Sequence, residues 1–190
     1  MCPVRAPRKE SSDMIDTTGT APELLAPARS LGGAFAALRI FIGLVWLSNA
    51  LAKVVDVAVV DWGFFSFNLI TRGVAQGLAT DAAAKSQIAP LTSFYRDVVL
   101  PNWGFFGIVL TLAELAVGIG LVFGIATRLA AVGGLLLILP IWLMLWHTTA
   151  YLWEYPLDLF PLVLLAIVPA GRMFGVDRTL APRLHGRWPF

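Results

Sequence analysis

Apolar and polar positions alternate along this chain on the scale of whole helices. An apolar block at 103–124 runs for twenty-two residues and carries one charge, Glu114, near its middle. At about 1.5 Å per residue, a helix of that length spans roughly 33 Å, the thickness of a bilayer's hydrocarbon core. A second block, 31–54, is also apolar, but Arg39, Gly43, Trp46, Ala50 and Lys53 recur in it at spacings of four and three. Those positions share one face of a helix, and leucine, isoleucine, valine and alanine fill the other. A third block, 129–147, is uncharged up to His147 and contains Pro140; a fourth, 157–173, begins with Asp158 and contains Pro161 and Pro169. The pattern predicts an all-α protein, a transmembrane bundle of four helices at about 31–54, 103–124, 129–147 and 157–173.

The segments between these blocks complete the layout. Residues 1–30 are rich in Pro, Ser and Thr and read as a flexible polar tail, and residues 181–190 as a basic one. Residues 31–180 then form one membrane domain. The connection 55–101 nearly balances its charges, and its stretch DWGFFSF (61–67) has the aromatic density of an interfacial anchor. Two short surface helices are expected there, at 68–87 and 91–100, separated by Pro90 and closed by Pro101. Its aromatics, Trp62, Phe64, Phe65 and Phe67, lead us to expect packing over the bundle or against another subunit.

Composition agrees with a membrane protein: 58% of the residues are hydrophobic and 14% charged, against about 25% charged in soluble domains. A net charge of +2 does not suggest nucleic acid. The placement of Lys and Arg is more informative: four lie in the N-terminal tail, one at Arg128 between the second and third blocks, and four from Arg172 onward. The positive-inside rule then places both termini in the cytoplasm and makes 55–101 a helical extracytoplasmic cap. The location expected is the cell membrane, multi-pass. One cysteine, Cys2, and two histidines, His147 and His185, leave no metal-binding constellation and no internal disulfide.

Two groups of residues carry candidate chemistry. Arg39 and Glu114 fall at similar depth and are expected to form a buried ion pair, either fixing helix register or relaying protons or anions. Lys53, His147 and Asp158 sit at matching helix ends, with Trp46 and Asn49 nearby. They read either as an interfacial belt with snorkelling charges or as a small-molecule pocket. The small residues Ala116, Gly120 and Gly124 make a face on which another helix can approach closely.

Several short features resemble the DoxX/DoxD family of small four-helix membrane proteins. They are Leu38-Arg39-Ile40 followed by Gly43; Ala113-Glu114-Leu115 followed by Gly118 and Gly124; Arg128 with Ala130; and Gly171-Arg172 followed by Asp177. The long connection ending in Leu100-Pro101-Asn102 is closer to the DoxD side, whereas Asn49-Ala50 stands where many members carry His-Gly. The resemblance implies a membrane subunit of a quinone-linked oxidoreductase; if a quinone binds, the candidate pocket for it or another small molecule is the outer layer of Trp46, Asn49, Lys53, His147 and Asp158. The alternative is a non-catalytic subunit that anchors a larger complex. Membrane lipid and partner subunits, met through the cap and the small-residue faces, are the partners expected.

Overall fold

The computed structural model describes residues 21–148, 154 and 156–190. Residues 1–20 of the expected tail, with Cys2, lie outside the described residues, as does most of the loop after His147. The order of elements is α1 (Ala21–Val55), a hairpin of β1 (Val59–Asp61) and β2 (Ser66–Asn68), α2 (Arg72–Lys85), α3 (Ala89–Phe94), α4 (Trp103–Phe123), α5 (Thr127–Leu145), α6 (Pro156–Ile167) and α7 (Asp177–Arg183). A π-helical turn, Tyr95–Val99, continues α3, and a 3₁₀ turn, Ala170–Arg172, follows α6.

Among the described residues, three helical segments are long and apolar enough to cross a membrane: Ser30–Val55, Trp103–Phe123 and Thr127–Leu145. The fourth apolar helix is shorter than expected. α6 has twelve residues and ends at Ile167, with Val168 making the last i−4 bond, to Leu164 O at 2.8 Å. Pro169 disfavours helical geometry at the residue before it and has no N–H to donate, so the chain breaks there rather than kinking. α1 is longer than expected and starts ten residues before Leu31.

Of the α1 stripe read from the sequence, Arg39, Gly43, Ala50 and Lys53 are buried and Trp46 is half-buried, and Ala36 extends the buried face. It packs antiparallel against α4 because both helices lack side chains where they cross. A Cβ on Gly43 would lie 2.7 Å from the Val122 backbone nitrogen, and one on Gly118 2.8 Å from that of Leu47. These crossings set the register between the two helices. On the far side of α4, Gly120 admits the Ala130 methyl of α5. Gly134 of α5 in turn meets Leu162 of α6 and the Trp46 ring of α1. One hydrophobic core, built on Val117, Leu121, Ala131, Leu162, Leu165 and Ala170, therefore joins α1, α4, α5 and α6.

The 56–101 segment lies against one end of this core. Ala82 and Ala83 of α2 pack on Met144 of α5, with Tyr95 and Leu100 around them. The aromatics of the hairpin do not make that contact. Trp62, Phe64 and Phe65 are exposed, and only Phe67 is partly buried. Packing over the core is thus achieved by alanines of α2.

Overpacking the α1–α4 crossing has a predictable cost. Gly118→Ala puts a methyl into backbone that cannot yield and should destabilise the protein by about 1–3 kcal/mol. Gly133→Ala is the control, since the nearest atom to its new methyl would be Val117 Cγ2 at 3.5 Å, an ordinary contact. Thermal aggregation in mild detergent should separate the two variants, and equal melting would count against the crossing.

Candidate functional site

Buried charges in this protein sit mostly at helix ends, where main-chain groups lack partners. Arg39 is fully buried. Its Nη1 donates to Leu121 O at 2.6 Å and Val122 O at 3.2 Å, the last-turn carbonyls of α4, and its Nη2 donates to Phe174 O at 3.3 Å. A cation at a helix C-terminus also complements the negative end of the dipole. Gly124 makes room, because a Cβ there would collide with the Arg39 guanidinium; at φ 66° it also caps α4 in the left-handed region that glycine favours.

Asp177 performs the complementary task. Its Oδ1 accepts from Ala126 N at 2.7 Å and its Oδ2 from Thr127 N at 2.9 Å, so a side chain some fifty residues downstream caps the start of α5. Its own N–H donates to Gly124 O at 2.8 Å, and its charge interacts with that of Arg39. Gly171 and Gly175 lie flush against this joint, where a Cβ would strike Asp177 or the Gly171 carbonyl. Arg128 is used in the same way: Nε and Nη2 both donate to Ile167 O, the end of α6, at 3.2 and 2.5 Å. Three charges named for the family resemblance thus serve as caps on three helices.

Glu114 is held elsewhere. Its carboxylate pairs with Lys53, Nζ to Oε2 at 2.8 Å, and not with Arg39. The glycine crossings explain the correction. They align Arg39 with the last turn of α4 and bring Lys53, nearly four turns further along α1, to the level of Glu114. Depth counted from helix ends is misleading here because α1 begins many residues before the level at which α4 ends. Glu114 lies eleven residues from the start of α4 and nine from its end, so the pair sits at the middle of that helix.

Asn49 completes the cluster. Lys53 Nζ also donates to Ile70 O at 2.8 Å and more weakly to Asn49 O at 3.4 Å. The Asn49 carboxamide accepts from Ile70 N at 2.9 Å and donates to Val45 O at 3.0 Å. The Lys53 side chain is 1% exposed and that of Glu114 13%, with Glu114 Oε2 itself buried, so the cluster is nearly closed to the surroundings.

The five-residue pocket read from the sequence comes together only in part. Asn49 and Lys53 meet, with Glu114 as the third member. Trp46 lies about two turns before Lys53 on α1 and packs its ring against Gly134 and the core. His147, beyond the end of α5, and Asp158, in the first turn of α6, are both exposed. Among the described residues neither makes a hydrogen bond or ion pair with the Lys53 cluster. A helix-end position placed these residues in one layer by sequence but did not say which way each faces. No cluster of three metal-ligating side chains occurs among the described residues.

Sequence reasoning missed the capping role of Asp177. The available signal was an isolated acid soon after Gly171 in a segment otherwise rich in arginine. No family model, curated protein or solved structure matches this chain.

Proposed function

We propose that this protein is an integral membrane subunit of a quinone-linked oxidoreductase assembly, as its resemblance to the DoxX/DoxD group implies. In this reading α1, α4, α5 and the shorter α6 form a four-helix transmembrane bundle in the cell membrane, both termini are cytoplasmic, and 56–101 is the outward cap. The observation that carries it is the Lys53–Glu114 pair at 2.8 Å, midway along an apolar helix and almost wholly buried. Ionisable groups at such depth are costly and mark sites of binding or proton movement. The other buried charges, Arg39 and Asp177, are taken up by main-chain groups at helix ends.

The donor set suits a quinone in kind. A quinone ring offers two carbonyl acceptors and takes up two electrons and two protons when reduced. Lys53, whose ammonium is engaged by Glu114 and Ile70 O, would hold the carboxylate in place, and Glu114 would hold or release a proton beside one quinone carbonyl. Asn49, already engaged with Ile70, would position the lysine. His147 and Asp158 are not part of this site. Electrons would come from a partner subunit of the assembly.

A photoreactive quinone analogue applied to membranes should label the 46–53 segment or the middle of α4, and Glu114→Gln should reduce that labelling several-fold in protein that still elutes as a single species. Labelling that ignores the substitution, or that concentrates at His147, would rule the site out.

A second reading, a non-catalytic subunit that anchors a larger complex, is favoured by one feature. A groove of ≈ 640 Å³ between α4 and α5 is lined by Ala113, Ala116, Gly120, Ala130 and Gly133. It has the small-residue lining on which membrane helices pack. Quinone in a lipid extract of the purified protein supports the first reading; its absence, with a partner protein retained in mild detergent, supports the second.

A further inference from the structure

The C-terminal segment from Arg172 onward takes no part in the Lys53 site. It contains four arginines, 172, 178, 183 and 187, against one acid, Asp177, and that acid is buried and committed to α5. It is folded rather than free: the Val176 N–H donates to Phe123 O at 3.0 Å, which ties it to the point where α4 ends and α5 begins. Those two helices are candidate membrane spans, so the segment lies at a bilayer face.

Two features occur together there. The first is a depression of ≈ 400 Å³ lined by Arg172, Arg178, Ala181, Pro182 and Gly186. Arg172 uses Nη2 on Phe190 O at 2.7 Å, and the Arg178 side chain has no hydrogen bond or ion pair among the described residues. The second is a set of large apolar side chains displayed on the same segment: Phe174 at 76% exposure, Trp188 at 57% and Leu184 at 42%. Phe174 is held at φ 54°, a conformation costly for a bulky residue, while Arg39 grips its carbonyl. The fold keeps that backbone pinned and leaves the ring outside.

We propose that this face binds an anionic phospholipid, its phosphate between Arg172 and Arg178 and its acyl chains against Phe174 and Trp188. Arginine suits a phosphate diester because its planar fork donates two parallel hydrogen bonds. A soluble phosphate ester would match the arginines equally but leave the aromatics without a role. A lipid uses both at the depth where they meet.

The test is native mass spectrometry of the full-length protein in mild detergent, titrated with short-chain phosphatidylglycerol or phosphatidylcholine at equal concentration. Phosphatidylglycerol adducts should dominate and weaken as salt rises. Arg172→Gln/Arg178→Gln should reduce the preference by up to about thirtyfold, the combined contribution of two basic residues at a lipid surface. If the double variant aggregates, Arg178→Gln alone carries the comparison, since that side chain has no partner to lose. Equal binding of the two lipids, or a preference that survives the substitutions, overturns the proposal. Competition by glycerol phosphate as strong as that by the intact lipid also overturns it, because the site would then recognise a free phosphate ester.

Discussion

Asp177→Ala is expected to be among the most destabilising single substitutions in this protein, although Asp177 lies outside every candidate span. Removing the carboxylate strips the acceptor from two main-chain donors, Ala126 N and Thr127 N, at a position that is 2% exposed. A buried donor left without a partner costs about 1–3 kcal/mol. Two of them, with the loss of the charge facing Arg39, bring the total to roughly 3–5 kcal/mol and the apparent melting temperature in detergent down by about 10 °C. Asp177→Asn keeps one oxygen for one of the two donors and should fall between the alanine variant and the parent. Because Asp177 lies on the segment that also carries Phe174 and Val176, the alanine variant should expose 170–190 to protease while α1 and α4 stay protected. An alanine variant that melts with the parent would show that α5 is capped in some other way.

The second large effect concerns Lys53 and Glu114. Either residue alone, replaced by a neutral apolar one, leaves its partner as an uncompensated charge in the middle of a helix pair. Breaking a buried pair in this way typically costs about 3–5 kcal/mol. Lys53→Met should be the worse of the two, because it also releases Ile70 O and so loosens the connection into α2. The double variant Lys53→Met/Glu114→Leu removes both charges and should lose less than the two single losses added together. Arg39→Met combined with Glu114→Leu should be additive, since their side chains sit at different levels of the α1–α4 seam. Unfolding in graded denaturing detergent measures all of these. Coupling between Arg39 and Glu114, with none between Lys53 and Glu114, would reverse the assignment.

These variants separate structure from activity. Asp177 and Arg39 should alter stability without altering whatever chemistry the protein performs. Glu114→Gln, which is nearly isosteric, should preserve most of the packing and reveal whether the carboxylate does more than neutralise Lys53.

Much of the helical architecture was legible in the amino-acid pattern because it follows from local rules. A run of apolar residues about twenty long, with one buried-face stripe, makes a helix suited to lipid whatever surrounds it. The α1 face with Arg39, Gly43, Ala50 and Lys53 was readable because a helix places residues three and four apart on one side. Proline positions foretold where helices stop, although Pro169 ended α6 instead of bending it. What the pattern could not give is relative height. The partner of Glu114 depends on how far α1 slides along α4, and that is set by two glycine crossings at which backbone meets backbone. A shift of a few turns exchanges Lys53 for Arg39 with no change in either helix's own periodicity. The same holds for Asp177. Its isolation in a basic segment was visible, but only the return of the chain to the α4–α5 corner turns an acid fifty residues away into a helix cap. Local periodicity is a property of each segment by itself, whereas the pairing of buried charges is a property of the packing between segments, which tertiary structure alone decides.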